Sequence, residues 1–71
     1  MSSVKLKKIF SNNVRKYRIK QNLSQEELAE KAGVHRTYIG SVERGERNIT
    51  INVMEKICVA LGIPITDLFK E

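Results

Sequence analysis

The residues whose types and spacing suit chemistry are hydrogen-bond donors rather than catalysts. Thr37, Gly40, Ser41 and Arg44 recur at the i, i+3, i+4, i+7 spacing that places residues on one face of a helix. Arg36 begins the same stretch, and its forked guanidinium matches the O6 and N7 acceptors of guanine. A threonine adds a hydroxyl and a methyl group that suits the methyl of thymine. The pattern predicts base contacts from Arg36, Thr37 and Ser41.

Further donors cluster around the segment that follows this helix. Arg44, Arg47, Asn48 and Thr50 suit contacts to a sugar-phosphate backbone, which fix register without specifying sequence. The hydroxyl of Tyr38 is predicted to donate to a further phosphate, and packing of Tyr38 at the rim of the core is the close alternative.

The sequence offers little for catalysis or metal binding. Cys58 is the only cysteine and His35 the only histidine, so neither a disulfide, a thiolate cluster nor a histidine metal site is expected. Cys58 lies in an apolar run and is predicted to be a small buried residue. His35 is interpreted as a plain surface histidine, and the alternatives are that it caps the following helix or touches phosphate. No nucleophile–base pair or phosphate-cradling loop is present, so we expect no enzyme and no cofactor.

Length and charge agree with a small binding domain. The 71 residues allow one domain, spanning residues 1–71, and carry 13 Lys+Arg against 8 Asp+Glu, a net charge of +5. The positive charge is concentrated in residues 1–23, which hold five Lys, two Arg and no acid, or +7. It serves either general attraction to DNA or solubility. Signal-peptide features and a membrane-length apolar run are lacking, so a cytoplasmic protein is expected.

The positions of glycine, proline and apolar residues predict five short helices. They are expected at about 4–21, 24–32, 36–44, 51–61 and 65–69, which gives an all-α fold. Ser24 and Glu27 form a capping-box pattern at the start of the second helix, and Gly33 is a stop at its end. Two short helices joined by a glycine turn, the second with a polar outer face, describe a helix-turn-helix over about residues 24–44.

The sequence resembles the XRE/Cro-C1, or phage-repressor-like, helix-turn-helix family. The resemblance is carried by LSQEELAEKAG at 23–33 and YIGSVERG at 38–45, and covers about residues 10–69. More narrowly, RTYI at 36–39, ERG at 43–45 and RNIT at 47–50 are similar to controller proteins of restriction–modification systems. The resemblance implies a compact five-helix, lambda-repressor-like domain that binds double-stranded DNA at a pseudo-palindromic operator.

The resemblance also implies roles for individual residues. Gln25 is expected to contact phosphate and brace the recognition helix, and Arg18 and Glu43 to form a structural ion pair. Controllers of this kind act as homodimers, so the resemblance implies a homodimer here. It also implies that two dimers can pair on adjacent operators and that the protein can contact RNA polymerase.

A dimer surface is the further expectation from the fourth and fifth helices. The fourth helix leaves Val59 facing outward, and with Ile65 and Phe69 it can form an apolar patch closed by a two-fold contact. The alternative is that these residues complete the core of the monomer.

Two other classes of function remain open at this point. One is an antitoxin or other protein-interaction regulator of the same fold, and the other is an RNA-binding helical adaptor. An antitoxin would carry an extra partner-binding segment, whereas this sequence stops just after Phe69, which favours the DNA-binding regulator.

Overall fold

Within the part of the chain that the structure describes, the architecture consists of four α-helices followed by one 3₁₀ helix. The computed structural model describes residues 3–46 and 48–71, with α1 at Ser3–Lys20, α2 at Gln25–Ala32, α3 at Arg36–Glu43, α4 at Ile51–Leu61 and the 3₁₀ helix at Ile65–Phe69. The all-α class is confirmed. The expected count of five helices is corrected to four α-helices and a 3₁₀ helix, whose i→i+3 geometry shows in the bond from the Asp67 N–H to the Pro64 carbonyl, 3.0 Å.

All four α-helices end in the same hydrogen-bonded motif. After α1 the N–H of Leu23 reaches the Arg18 carbonyl at 3.0 Å, and after α3 the N–H of Glu46 reaches the Ser41 carbonyl at 3.0 Å. These are 6→1 bonds of the Schellman motif, which needs a left-handed residue just past the helix. Asn22 (φ +58°) and Gly45 (φ +71°) supply it in these two places. The tight stops bring α2 and α3 close together.

The predicted capping box at the start of α2 is confirmed. The Ser24 hydroxyl accepts from the Glu27 N–H at 3.0 Å, and the Glu27 carboxylate accepts from the Ser24 N–H at 2.8 Å. These two bonds satisfy amides that would otherwise lack a partner within the helix. They fix the first turn of α2, next to Gln25.

Substituting Ser24→Ala is expected to lower the free energy of unfolding by about 1 kcal/mol, measured by urea denaturation.

The pKa of Glu27 is lowered, first by the backbone N–H of Ser24 and then by its hydroxyl. A lowered folded-state pKa gives stability that is present above the unfolded-state value and is lost as pH falls through the folded-state value. Glu27→Gln should therefore flatten the decline in stability that wild type shows as pH falls below about 4.3, the unfolded-state pKa of a glutamate.

The core forms where α1, α2, α3, α4 and the 3₁₀ helix meet. Its fully buried side chains are Phe10, Val14, Leu28, Ile39, Val42, Ile57 and Leu68. Cys58 is buried at the edge of this cluster, and burial raises the pKa of its thiol. Among the described residues, no helix is long and apolar enough to cross a membrane.

Two side-chain amides attach α1 to the C-terminal part of the chain. Asn13 donates to the carbonyls of Leu68 and Lys70 at 2.9 and 2.7 Å, and Gln21 donates to the Leu61 carbonyl at 2.7 Å. Each bond satisfies a carbonyl at or just beyond a helix end. The apolar side of α1 is therefore fixed toward α4 and the 3₁₀ helix, which leaves its other sides to solvent and to the end of α3.

Candidate nucleic-acid interface

The second helix of the helix-turn-helix, α3, begins at a side-chain cap. The Nδ1 atom of His35 accepts from the Thr37 N–H at 3.1 Å and lies 2.7 Å from the Thr37 hydroxyl oxygen. The capping role considered for His35 is thus its role in the structure. The cap orders the first turn of α3, from which Arg36 and Thr37 project.

Arg36 and Thr37 are both exposed at this first turn. The Nη1 atom of Arg36 lies 3.2 Å from the Oε2 atom of Glu26, and both side chains are about two-thirds exposed. An exposed pair of this kind contributes about 0–1 kcal/mol. Arg36 can therefore exchange this carboxylate for a base edge at small cost.

A polar depression of about 580 Å³ joins the first turn of α3 to the start of α2. The residues that line it include Arg36, Thr37, Gln25, Arg44 and Gly40. A Cβ atom at Gly40 would lie 3.2 Å from the Nη1 of Arg44 and 3.4 Å from the Oε1 of Gln25. The missing side chain at Gly40 therefore lets two hydrogen-bonding side chains lie across α3.

A buried ion pair holds this arrangement together. Arg18 on α1 donates to both carboxylate oxygens of Glu43 on α3, at 2.6 and 3.0 Å, with side-chain exposures of 13% and 4%. Arg18 also donates to the Leu23 carbonyl at 2.8 Å, and Gln25 donates to Glu43 at 3.1 Å. The pair thus ties α1, the start of α2 and the end of α3 to one another.

The structure corrects the expected position of Ser41. We predicted it on the outward face of α3, but Ser41 is only 7% exposed and its hydroxyl donates to the Tyr38 carbonyl at 2.8 Å. The base contacts that remain as predictions are therefore those of Arg36 and Thr37, which are exposed.

The other described residues predicted to contact phosphate lie outside the depression around Arg36. Tyr38 is half-buried against the core, and the Thr50 hydroxyl accepts from the Val53 N–H at 3.2 Å as the cap of α4. Asn48 is exposed but borders a different, apolar depression. Arg47 lies outside the described residues. None of the described three borders the depression around Arg36, and their phosphate contacts stay predictions.

Sequence reasoning missed Arg15. This exposed side chain borders a smaller depression together with Arg18, Gln25, Glu43 and Arg44. Its helical spacing of three from Arg18 places the two on one side of α1, which was an available signal. Only the packing of α1 against α3 shows that this side meets the candidate interface.

The expected dimer surface is also changed. Val59 is 75% and Ile65 41% exposed, and both border an apolar depression with Ile51, which is 78% exposed and was not anticipated. Ile51 is eight residues from Val59 and so shares its helix face. Phe69, in contrast, packs against Phe10 with ring centroids 5.3 Å apart and borders a different depression. Phe69 therefore belongs to the core side of the 3₁₀ helix, not to this patch.

A capped helix, a glycine turn and a second helix with exposed donors at its start define a helix-turn-helix domain. The chain belongs to the XRE-type Helix-turn-helix family, whose model matches residues 14–68. It is 52% identical over 63 residues to control protein C.SmaI of Serratia marcescens, which covers 89% of this chain and 75% of that protein. It is 48% identical over 61 residues to control protein C.BamHI of Bacillus amyloliquefaciens, covering 84% and 75%.

A solved structure shows the same fold. The restriction–modification controller protein C.AhdI from Aeromonas hydrophila superposes with a TM-score of 0.86 at 40% identity, covering 89% of this chain and 96% of that one.

Proposed function

We propose that this chain is a sequence-specific DNA-binding transcription regulator of a restriction–modification system, with residues 1–71 acting as one helix-turn-helix domain. The observation that carries the proposal is the exposed Arg36 and Thr37 at the start of α3, beside the depression shared with Gln25 and Arg44. In this motif the start of the second helix enters the major groove. The control and controller proteins similar to this chain support the assignment to restriction–modification.

The proposed contacts fall into two groups. Arg36 and Thr37 contact base edges, which carry sequence information. Gln25, at the first turn of α2, and Arg44, at the end of α3, contact phosphates on either side of the groove. Dimers paired on adjacent operators and contact with RNA polymerase stay predictions, because the described residues bear on neither.

Selection of bound duplexes from random DNA tests the proposal. Enrichment should return a pseudo-palindrome whose half-sites are about one helical turn apart, ~34–36 Å. Placing that site upstream of a reporter gene should make transcription depend on the protein. The proposed function is rejected if selection enriches no sequence over the starting pool.

We further propose that the protein acts as a homodimer through the patch of Ile51, Val59 and Ile65. Three exposed apolar side chains around one depression are unusual on a small soluble domain and typical of a contact surface. A two-fold contact between copies matches the symmetry of a pseudo-palindromic site.

Val59→Asp should convert the dimer to a monomer in analytical ultracentrifugation at micromolar concentration. Because Val59 is 75% exposed within the chain, the change should leave the helical circular dichroism signal unaltered. Ile19→Asp makes the same kind of change at another exposed apolar residue, 52% exposed on α1, and should remain dimeric. Equal effects of the two substitutions would place the contact elsewhere.

A further inference from the structure

A second polar depression, of about 280 Å³, lies between the N-terminal half of α1 and the end of α3. Lys7, Lys8, Ser11 and Asn12 line it from α1, and Arg44 lines it from the end of α3. We propose that this depression binds one phosphate of the DNA backbone, outside the base pairs contacted by Arg36. The inference rests on the proposed DNA-binding function and assigns a role to the basic N-terminal segment.

The charge of the depression favours an anion. Its one carboxylate, Glu43, is already held by Arg18 through two hydrogen bonds. Among the described residues no carboxylate lies within ion-pair distance of Lys7 or Lys8. Arg44 pairs with Glu46 at 2.9 Å, but both side chains are more than half exposed, so this pair exchanges readily. The ammonium groups of two lysines and one guanidinium are thus available to a phosphate.

A buried hydroxyl in the lining supports the same assignment. Ser11 is 2% exposed, and its Oγ has no hydrogen-bond partner among the described residues. A buried polar group without a partner destabilises the folded state. The Oγ lies near Gly45, which also lines the depression, at 3.8 Å from the position that a Cβ atom on that glycine would take. A phosphate oxygen seated in the depression would give this hydroxyl an acceptor.

The depression is continuous with the candidate interface through one side chain. Arg44 borders all three polar depressions: the one between α1 and the end of α3, the one that contains Arg36 and Thr37, and the smaller one that contains Arg15. A polar surface therefore runs from the first turn of α3 across Arg44 to α1. A duplex that holds α3 in its major groove presents a row of phosphates along such a surface.

Matched lysine substitutions on α1 test the proposal. The affinity of wild type, Lys8→Gln and Lys16→Gln for a labelled duplex is measured over a range of salt concentrations. Lys8→Gln should reduce the slope of log K against log salt by about 0.9, the value for one phosphate contact on duplex DNA. Lys16 is exposed, carries the same charge and borders none of the three depressions, so Lys16→Gln should keep the wild-type slope.

A second measurement locates the phosphate. Each backbone phosphate of the duplex is replaced in turn by an uncharged methylphosphonate. At one position outside the base pairs contacted by Arg36, this replacement should weaken the binding of wild type. The same replacement should leave the affinity of Lys8→Gln unchanged, because that variant already lacks the contact. Ser11→Ala should weaken binding about tenfold without lowering the urea midpoint of unfolding, because the hydroxyl it removes has a partner only in the complex.

The outcomes separate this inference from the proposed function. Since a phosphate contact is independent of sequence, the two lysine variants are compared on random duplexes as well as on the selected site. Equal slopes for Lys8→Gln and wild type would overturn the phosphate site, even if selection enriches an operator. A reduced slope for Lys8→Gln without any enriched sequence would support the phosphate site and reject sequence-specific regulation.

Discussion

Substituting Glu43→Leu should lower the free energy of unfolding by about 3–5 kcal/mol. Glu43 is 4% exposed and accepts hydrogen bonds from Arg18 and Gln25, so its loss leaves a buried guanidinium without its carboxylate. A domain of this length has roughly 3–5 kcal/mol of net stability, so most molecules should be unfolded at 25 °C. Urea denaturation followed by circular dichroism at 222 nm measures the change.

Glu46→Leu is the matched control for this prediction. It removes the same kind of side chain three residues later, from an exposed pair with Arg44, and should cost less than about 1 kcal/mol. The double substitution Arg18→Met with Glu43→Leu should recover most of the stability, because neither charge then remains buried alone. Similar costs for Glu43→Leu and Glu46→Leu would show that the buried pair does not hold the helices together.

Substituting Arg36→Ala should abolish the preference for one base pair in each half-site, a loss of about 1–3 kcal/mol in discrimination. Arg36 is exposed at the first turn of α3 and has only an exposed pair with Glu26 to give up. Repeating the DNA selection with the variant should return the wild-type site with that position randomised. A guanidinium that only touched phosphate would instead weaken binding to all sequences equally.

Two further variants control for charge. Lys31→Ala removes one positive charge from α2 at an exposed site outside the depressions and should keep the full sequence preference. Glu26→Gln releases Arg36 and removes a negative charge near the DNA, so it should tighten binding to the selected site. Loss of preference in Lys31→Ala, or unchanged preference in Arg36→Ala, would contradict the assigned role.

Local signals in the sequence predicted the helices well. The capping box of Ser24 and Glu27, the left-handed Asn22 and the glycines after α2, α3 and α4 all act within four or five residues of the chain. Such contacts form wherever the local sequence allows them, independently of the rest of the fold. The sequence did not show whether the last helix is an α-helix or a 3₁₀ helix, because a five-residue segment after Pro64 is compatible with both.

The positions of individual side chains were harder to predict. Helical spacing predicts Ser41 on the outward face of α3, yet its side chain is buried and its hydroxyl donates to the Tyr38 carbonyl. Phe69 was grouped with Val59 and Ile65 by proximity in sequence, yet it packs on Phe10, 59 residues earlier in the chain. For Phe69 the deciding contact is made by α1, which lies outside the helix whose pattern was analysed.

The chemical character of the donors that suit DNA was determined by the sequence alone. An arginine and a threonine at the start of a short capped helix are sufficient to predict contact with base edges, because that capacity lies in the side chains themselves. The tertiary structure alone decided which other groups join them. By packing α1 against the end of α3, it brings Arg15, Lys8 and the buried hydroxyl of Ser11 to the side of Arg44. Periodicity reports which residues share a face of one helix, whereas the neighbour of that face depends on contacts between distant parts of the chain.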